Sequence, residues 1–201
     1  MVDVQNARSG LRERKKDKTR AALLEAALRL FAQQGFAETT INQIAAEVDV
    51  SARTLLRYFP TKEDIVVSQV EDSVAVFRTA FSLHCTDHSV RAALLASARA
   101  LLDHYETQTD FYLAIERAIA ASPEIRARKL GLSAELVDEL ATLASQCSDG
   151  QAQPVWLARL HTEIVFSMVR AVIGRWVEAD GNSSLRTLFD EALRLTGIAQ
   201  T

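Results

Sequence analysis

Cysteine, proline, glycine and aromatic residues are all scarce in this chain of 201 residues. It contains two cysteines, three prolines and seven glycines, and aromatic side chains make up 6% of it. So few helix-breaking residues favour an all-helical fold. The two cysteines, Cys85 and Cys147, lack the paired spacing of a zinc site. We therefore expect two separate thiols in a reducing compartment.

Long apolar runs are also missing. No stretch approaches the roughly twenty apolar residues that a membrane-spanning helix needs. The basic N-terminal segment is not followed by the apolar core of a secretory signal. These absences predict a cytoplasmic protein, whose length suffices for one large or two modest domains.

Enzyme signatures are equally absent from the sequence. There is no glycine-rich phosphate loop, no local nucleophile motif and no paired-carboxylate motif. His84, Cys85 and His88 have metal-binding side chains, but they fall in an expected loop without a fourth ligand. We therefore expect no enzymatic activity, no cofactor and no metal.

Positive charge is concentrated at the front of the chain, although the formal net charge is -3. Residues 1–67 carry eleven basic and nine acidic side chains, whereas residues 68–201 carry twelve and seventeen. The segment 8–20 holds seven basic residues and only two acidic ones. Such a run is often a solvated tail. Directly before a DNA-binding element, it would serve as a flexible arm that contacts the duplex.

Residues 40–59 have the pattern of two short helices joined by a tight turn. Thr40 and Gln43 have the spacing of a capping box, and apolar residues then recur at helical intervals up to Val48. Ser51 supplies a second N-cap hydroxyl for a helix that ends near Phe59. This pattern predicts a helix-turn-helix that presents its second helix to DNA. The alternative is a helix-turn-helix that serves packing alone.

The rest of the chain also shows helical periodicity and no strand-like alternation. A helix over 18–34 precedes the helix-turn-helix, and a connecting helix over 62–82 follows Pro60 and Thr61. About nine helices are expected in all, the later ones over 90–106, 110–122, 124–148 with a possible break at Gly131, 155–179 and from Leu185.

The helix over 155–179 is apolar on more than one face. One face can fill the core of its own domain, and the second then needs another partner. Together with the last helix it predicts a four-helix dimer interface. The candidate residues are Leu157, Ile164, Met168, Val172, Trp176, Leu188, Phe189 and Ala192. The alternative is that both faces lie in the core of one large domain.

The segment RERKKDKTRAALLEAALRLFAQQGFAETTINQIAAEVDVSARTLLRYFPTKEDIV resembles the N-terminal domain of the TetR (tetracycline repressor) family of transcriptional regulators. The resemblance implies an all-α homodimer that represses transcription from a near-palindromic operator and responds to a small-molecule effector. It implies a DNA-binding domain over 1–61 and an effector-binding and dimerisation domain over 62–201. The alternative is a helical adaptor, or a small-molecule-binding protein without DNA activity.

Matched position by position, the resemblance implies phosphate or groove contacts by Thr40, Ser51, Thr54, Tyr58 and Lys62. Ala52, Arg53 and Arg57 are the expected base-reading positions, because an arginine can bond guanine through two donors. Arg20 in the basic segment and Leu56 complete the expected DNA-binding set. Two positions depart from the family pattern: Asp49 replaces a turn glycine, and Leu56 replaces a DNA-contacting aromatic residue.

An effector pocket is expected among the middle helices, where aromatic surface is combined with a few polar groups. The candidates are Phe81, His104, Tyr105, Phe111, Tyr112, Glu116, Trp156 and Phe166. For each of them, ordinary core packing is the alternative.

Overall fold

The protein is all-helical. The computed structural model describes residues 3–86, 89–144 and 154–198, with side chains from residue 14 onwards. Within these ranges it contains nine helices, which are α1 (Asp3–Gln34), α2 (Ile41–Ala46), α3 (Ala52–Tyr58), α4 (Lys62–His84), α5 (Val90–Glu106), α6 (Thr109–Ala121), α7 (Pro123–Ala144), α8 (Val155–Glu178) and α9 (Leu185–Thr196). The all-α prediction is confirmed.

The chain divides into two compact units, residues 1–66 and 67–201. The first turn of α4 is therefore part of the first unit, which we call the head. That the DNA-binding domain ends at residue 61 and the effector-binding domain begins at residue 62 remains a proposal. In the part of the chain that is described, none of the helices combines the length and apolar character that a membrane span requires.

Two helices are continuous where the sequence suggested a flexible arm or a break. The basic segment is not a flexible arm, because α1 begins at Asp3 and continues through it. Arginine, lysine and glutamate are good helix formers, and one glycine in this segment does not outweigh them. Gly131 likewise does not interrupt α7, where a Cβ at this position would meet nothing within 4 Å. The end of the helix predicted over 124–148 falls outside the described residues.

The cysteines also differ from expectation. Cys85 at the end of α4 is disulfide-bonded, and no described cysteine is free. The prediction of two separate thiols is therefore wrong. The sequence gave no sign of this bond, because the fold decides which distant residues approach each other. Cys147 and His88 lie outside the described residues.

The core of the head forms where α1, α2, α3 and the start of α4 meet. Phe31 packs edge to face on Phe36, with ring centroids 5.0 Å apart. The other large buried side chains are Leu23, Leu28, Ile44, Leu55, Phe59 and Ile65. Val48, the last residue of the apolar pattern that predicts the first helix of the helix-turn-helix, is only partly buried.

Lys62 holds the turn between α1 and α2. Its ammonium donates hydrogen bonds to the carbonyl oxygens of Phe36 at 2.6 Å and Thr39 at 2.9 Å, with Ala37 at 3.4 Å. It also lies 4.3 Å from the centroid of the Phe36 ring, a distance typical of a cation–π contact. The carbonyls of this turn have no helical partners, so the ammonium satisfies groups that would otherwise depend on water.

The turn between α2 and α3 requires a left-handed residue. Asp49 adopts φ 52°, the amide of Val50 bonds the carbonyl of Ala45, and the amide of Asp49 bonds that of Ala46. This is the Schellman pattern with Asp49 in the position where glycine is preferred. The expectation that Asp49 tolerates a left-handed backbone is confirmed.

The second unit is built around α5, α8 and α9. Its largest buried side chains include Phe77, Phe81, Leu94, Leu102, Trp176 and Phe189. The turn between α8 and α9 approaches α6 closely, because a Cβ on Gly181 would lie 2.8 Å from Cγ2 of Thr109. Position 181 therefore requires glycine for two reasons, which are this close approach and the positive φ of 74°.

We predict that Asp49→Gly stabilises the head by about 0.5–1 kcal/mol, because glycine adopts the left-handed region without steric cost. Asp49→Ala should destabilise it, since alanine has neither that freedom nor the local polar side chain of aspartate. Asp49→Asn is the matched control, because it keeps the left-handed tolerance and removes the charge. Urea unfolding followed by circular dichroism measures all three, and a stabilising Asp49→Ala would contradict this account of the turn.

Candidate functional site

The helix α3 presents one side to the core of the head and another to solvent. Ser51 caps it, accepting a hydrogen bond from the amide of Thr54 at 3.1 Å. Leu55 within the helix and Phe59 just after it are buried. Since side chains four residues apart lie on the same side of a helix, these two anchor one face and leave the opposite face free.

Both candidate base-reading arginines are on that free face. Arg53 and Arg57 are exposed and stand one turn apart. Arg57 lies 5.5 Å from the centroid of the Tyr58 ring. Among the described residues neither guanidinium is paired with a carboxylate, whereas Arg29 of the same unit pairs with Glu47 at 3.0 Å. Two uncompensated guanidinium groups side by side suit an anionic partner with hydrogen-bond acceptors.

The remaining expected DNA contacts surround this face. Leu56 is 43% exposed, and Ala52, Thr54 and Tyr58 are partly exposed. Thr40 caps α2 in the predicted capping box, with the Gln43 amide 3.2 Å from its hydroxyl oxygen. This confirms the predicted start of the helix-turn-helix.

Arg20 and Lys62 have contacts within the head that the sequence did not indicate. The guanidinium carbon of Arg20 lies 5.0 Å from the centroid of the Phe59 ring. The ammonium of Lys62 is directed to backbone carbonyls, as described above. Its expected phosphate contact stays a prediction, and the structure gives it a role in holding the α1–α2 turn.

A cavity of about 440 Å³ lies in the second unit, between α4, α5, α6, α7 and α8. Ligand pockets typically measure about 300–1,000 Å³. The apolar part of its wall includes Val70, Phe77, Leu101, Phe166, Val169 and Ile173. Such a cavity can accommodate a molecule of moderate size with a substantial apolar body.

Three of the eight predicted pocket residues line this cavity, namely Tyr105, Glu116 and Phe166. The other five do not line it. Phe81 and Tyr112 are fully packed in the core, and Phe111 packs against it. His104 bonds the Tyr112 hydroxyl at 2.5 Å, and Trp156 is 66% exposed. The aromatic residues in the sequence did not show by themselves which of them line the pocket, which belong to the core and which lie on the surface.

A partly buried ion pair forms part of the cavity wall. Lys129 donates to both carboxylate oxygens of Glu116, at 2.6 and 2.8 Å, and Tyr105 donates to the same carboxylate at 3.0 Å. Burial, and then the charge of Glu116, raise the pKa of Tyr105 well above its usual value. Tyr105 therefore stays a hydrogen-bond donor across the physiological pH range.

The cavity also includes two arginines that sequence reasoning missed. Arg126 on α7 and Arg170 on α8 belong to its wall, together with Lys129. Each lies within a helix whose other residues gave a stronger apolar signal. The available clue was the presence of charged residues beside apolar stripes on α7 and α8, but surface helices show the same pattern.

The predicted dimer residues fall into two groups. Met168, Val172, Trp176 and Phe189 are at most 8% exposed and belong to the core of the second unit, so this part of the prediction is wrong. Leu157, Leu188 and Ala192 are partly buried, and Ile164 is 36% exposed. Both stripes of α8 are apolar, and the sequence did not show which of them is covered by the same chain.

The stripe of α8 that stays exposed contains Trp156, Leu160 and Ile164, with Ser167 and Ala171 continuing it. We call these five residues the α8 stripe. They recur every three or four positions and therefore share one helix face. Large exposed apolar side chains in a row are typical of a protein interface.

Groups of three or more side chains suited to a metal ion do not occur among the described residues. The two candidate sites are the exposed α3 face in the head and the lined cavity in the second unit.

Comparisons with known proteins relate both units to bacterial regulators. A family model described as bacterial regulatory proteins, tetR family, matches residues 23–68. The chain is 27% identical over 192 residues to the HTH-type transcriptional regulator TcmR of Streptomyces glaucescens, covering 92% of this chain and 85% of that one. It is 27% identical over 180 residues to RutR of Escherichia coli K12, covering 83% and 84% of the two chains.

Solved structures show the same fold over most of the chain. FadR of Bacillus subtilis, solved in complex with stearoyl-CoA, superposes with a TM-score of 0.64 at 19% identity, covering 87% of this chain and 96% of that one. The matched model covers α3 with its exposed arginines, and the full-length relatives cover the helices that enclose the cavity. Residues 23–68 thus match the tetR family of bacterial regulatory proteins, and over most of its length the chain is similar to bacterial transcriptional regulators.

Proposed function

We propose that this protein is a cytoplasmic, ligand-responsive repressor that binds a near-palindromic operator as a homodimer. The observation that carries the proposal is the exposed pair Arg53 and Arg57 on a capped helix anchored by Leu55 and Phe59. A short helix with this arrangement enters the major groove of B-DNA, where its guanidinium groups meet base edges and phosphates.

The effector binds in the cavity of the second unit. Its volume and apolar wall support this assignment, as does the complex of the related FadR with stearoyl-CoA. An effector regulates DNA binding only if it binds one conformation of the dimer better than the other. The helix α4 carries Lys62, which holds the α1–α2 turn, and Phe77, which lines the cavity. We assign α4 as the element that couples the two events.

The dimer forms through the α8 stripe together with the exposed side of α9. Leu195 on α9 is 69% exposed and adds to the apolar surface. Interfaces of homodimers are richer in apolar side chains than other surfaces. Two recognition helices related by the dimer axis then match two half-sites about one duplex turn or a multiple of it apart.

We expect Arg53→Ala to lower affinity for the operator by about 10- to 100-fold and to relax preference at one base position, because a bidentate arginine–guanine contact contributes about 1–3 kcal/mol. Operator fragments selected from genomic DNA provide the duplex, and fluorescence anisotropy with base-substituted versions measures the preference. Arg29→Ala is the control, since Arg29 is an arginine of the same unit held by two carboxylates. Unchanged base preference in Arg53→Ala would remove Arg53 from the reading set.

Substitution of Lys62 tests whether this lysine stabilises the head or contacts a DNA phosphate. Lys62→Met should lower the stability of the head by about 2 kcal/mol, because hydrogen bonds from a charged donor to partly buried carbonyls are lost. The slope of log affinity against log salt should stay the same if the lysine acts only within the head. A phosphate contact would instead lower that slope by about 0.9. Lys18→Met, at an exposed basic position of α1, is the comparison.

Leu160→Glu should convert the dimer to a monomer at micromolar concentration, since it places a charge in the middle of the α8 stripe. Leu83→Glu is the matched control, because Leu83 is 69% exposed on a different helix. Sedimentation velocity reports whether the species has the 22.2 kDa mass of one chain or twice that mass. A wild-type protein that sediments only as 22.2 kDa would refute the homodimer.

A further inference from the structure

The charged groups in the cavity wall are unequal in sign. Three cations, Arg126, Lys129 and Arg170, line it, and Glu116 is the one carboxylate among the described lining residues. The Glu116 carboxylate is bound by Lys129 through two contacts, so these two charges compensate each other. No carboxylate among the described lining residues compensates the charges of Arg126 and Arg170.

The two arginines retain unused donors. One terminal nitrogen of Arg126 donates to the carbonyl of Ala120 at 2.6 Å, and one of Arg170 donates to the hydroxyl of Ser167 at 3.0 Å. A guanidinium group has five N–H donors. Among the described residues no carboxylate pairs with either arginine. An anion would therefore find donors here without breaking an existing ion pair.

The pairing of α7 with α8 brings the two arginines to the same level. Asp138 on α7 and Arg159 on α8 form an exposed ion pair at 3.0 Å, so these two residues lie side by side on the two consecutive helices. Antiparallel helices advance equally in opposite directions at about 1.5 Å per residue. Twelve residues before Asp138 on α7 is Arg126, and eleven residues after Arg159 on α8 is Arg170. Both side chains therefore lie at a similar level along the two helices, in the wall of the same cavity.

The rest of the wall is apolar. Phe77, Phe166, Val169 and Ile173 are aromatic or aliphatic and offer no charge. A ligand that matches this wall has an apolar body, and its polar end lies where the arginines are. Arg126 and Arg170 are exposed at this wall, so they would repel a cationic end, whereas an anionic end would gain charge-assisted hydrogen bonds that a neutral end cannot make.

We propose that the effector is an amphipathic anion, with an apolar body in the cavity and a carboxylate or phosphate group held by Arg126 and Arg170. This proposal rests on the effector-binding role given to the cavity above. The Glu116–Lys129 pair next to this site keeps its own charges balanced and adds Tyr105 as a fixed polar contact. Charge-assisted bonds to an anion are shorter and stronger than those to a neutral group.

The test uses the full-length protein and four probes with the same ten-carbon chain, namely decanoate, decyl phosphate, decanol and decylammonium. Isothermal titration calorimetry measures their affinities. We expect one or both anions to bind at least about tenfold more tightly than decanol, and decylammonium to bind most weakly. The comparison of decanoate with decyl phosphate identifies the anionic group. Equal affinity of the anions and decanol, or a preference for decylammonium, would overturn the proposal.

Variants of the chain locate the anion. The double substitution Arg126→Gln and Arg170→Gln should reduce affinity for the preferred anion to the level of decanol and leave decanol unchanged. Arg159→Gln is the control, because it removes the same charge from α8 at a residue that does not line the cavity. Ser133→Phe fills the cavity from α7 and should abolish binding of all probes, with circular dichroism confirming the fold. Unchanged anion affinity in either the double variant or Ser133→Phe would show that the anion binds elsewhere.

DNA binding is measured separately, by anisotropy without any probe. If the protein shows no specific operator binding, the proposed regulatory function is wrong. Calorimetry still tests the anion preference of the cavity independently. Conversely, specific operator binding together with equal affinity for anions and decanol would retain the regulator and reject the anionic effector.

Discussion

A helix of seven residues does not persist alone in water, and the DNA-binding surface of this protein depends on how α3 is nevertheless held. Ser51 satisfies an amide at its start, and Leu55 and Phe59 fix its inner side in the head. These contacts leave Arg53 and Arg57 on the outside. The position of the two guanidinium groups is therefore a consequence of apolar packing on the opposite side of the same helix.

The same division between a buried and a free side recurs at larger scale in α8. One side of this helix completes the core of the second unit through Val165, Val169 and Trp176, and another carries the exposed α8 stripe. Between them, Phe166, Arg170 and Ile173 face the cavity. One helix thus borders the core, the cavity and the proposed dimer interface, so a ligand that shifts it acts on all three.

Charge is handled differently in the two units. In the head, the ammonium of Lys62 is directed inward to backbone carbonyls, whereas Arg53 and Arg57 of α3 are exposed and have no carboxylate partner among the described residues. In the second unit, the ion pair of Glu116 and Lys129 is neutral as a whole, and two arginines of the cavity remain uncompensated. Each unit therefore combines charged side chains that are bonded within the fold with charged side chains that have no carboxylate partner among the described residues and can bind another molecule.

Local signals in the sequence determined the helix-turn-helix, its caps at Thr40 and Ser51, the left-handed turn at Asp49 and most of the later helices. These features depend on residues within a few positions of each other, and backbone sterics and hydrogen bonding at that range are largely independent of the rest of the chain. Tertiary structure alone decided that Lys62 holds a turn more than twenty residues away, that Cys85 is bonded, that Trp176 is core while Trp156 is surface, and that Arg126 and Arg170 meet at one cavity. The physical reason is that an amphipathic helix shows which of its sides are apolar, whereas what covers each side depends on packing between elements distant in sequence.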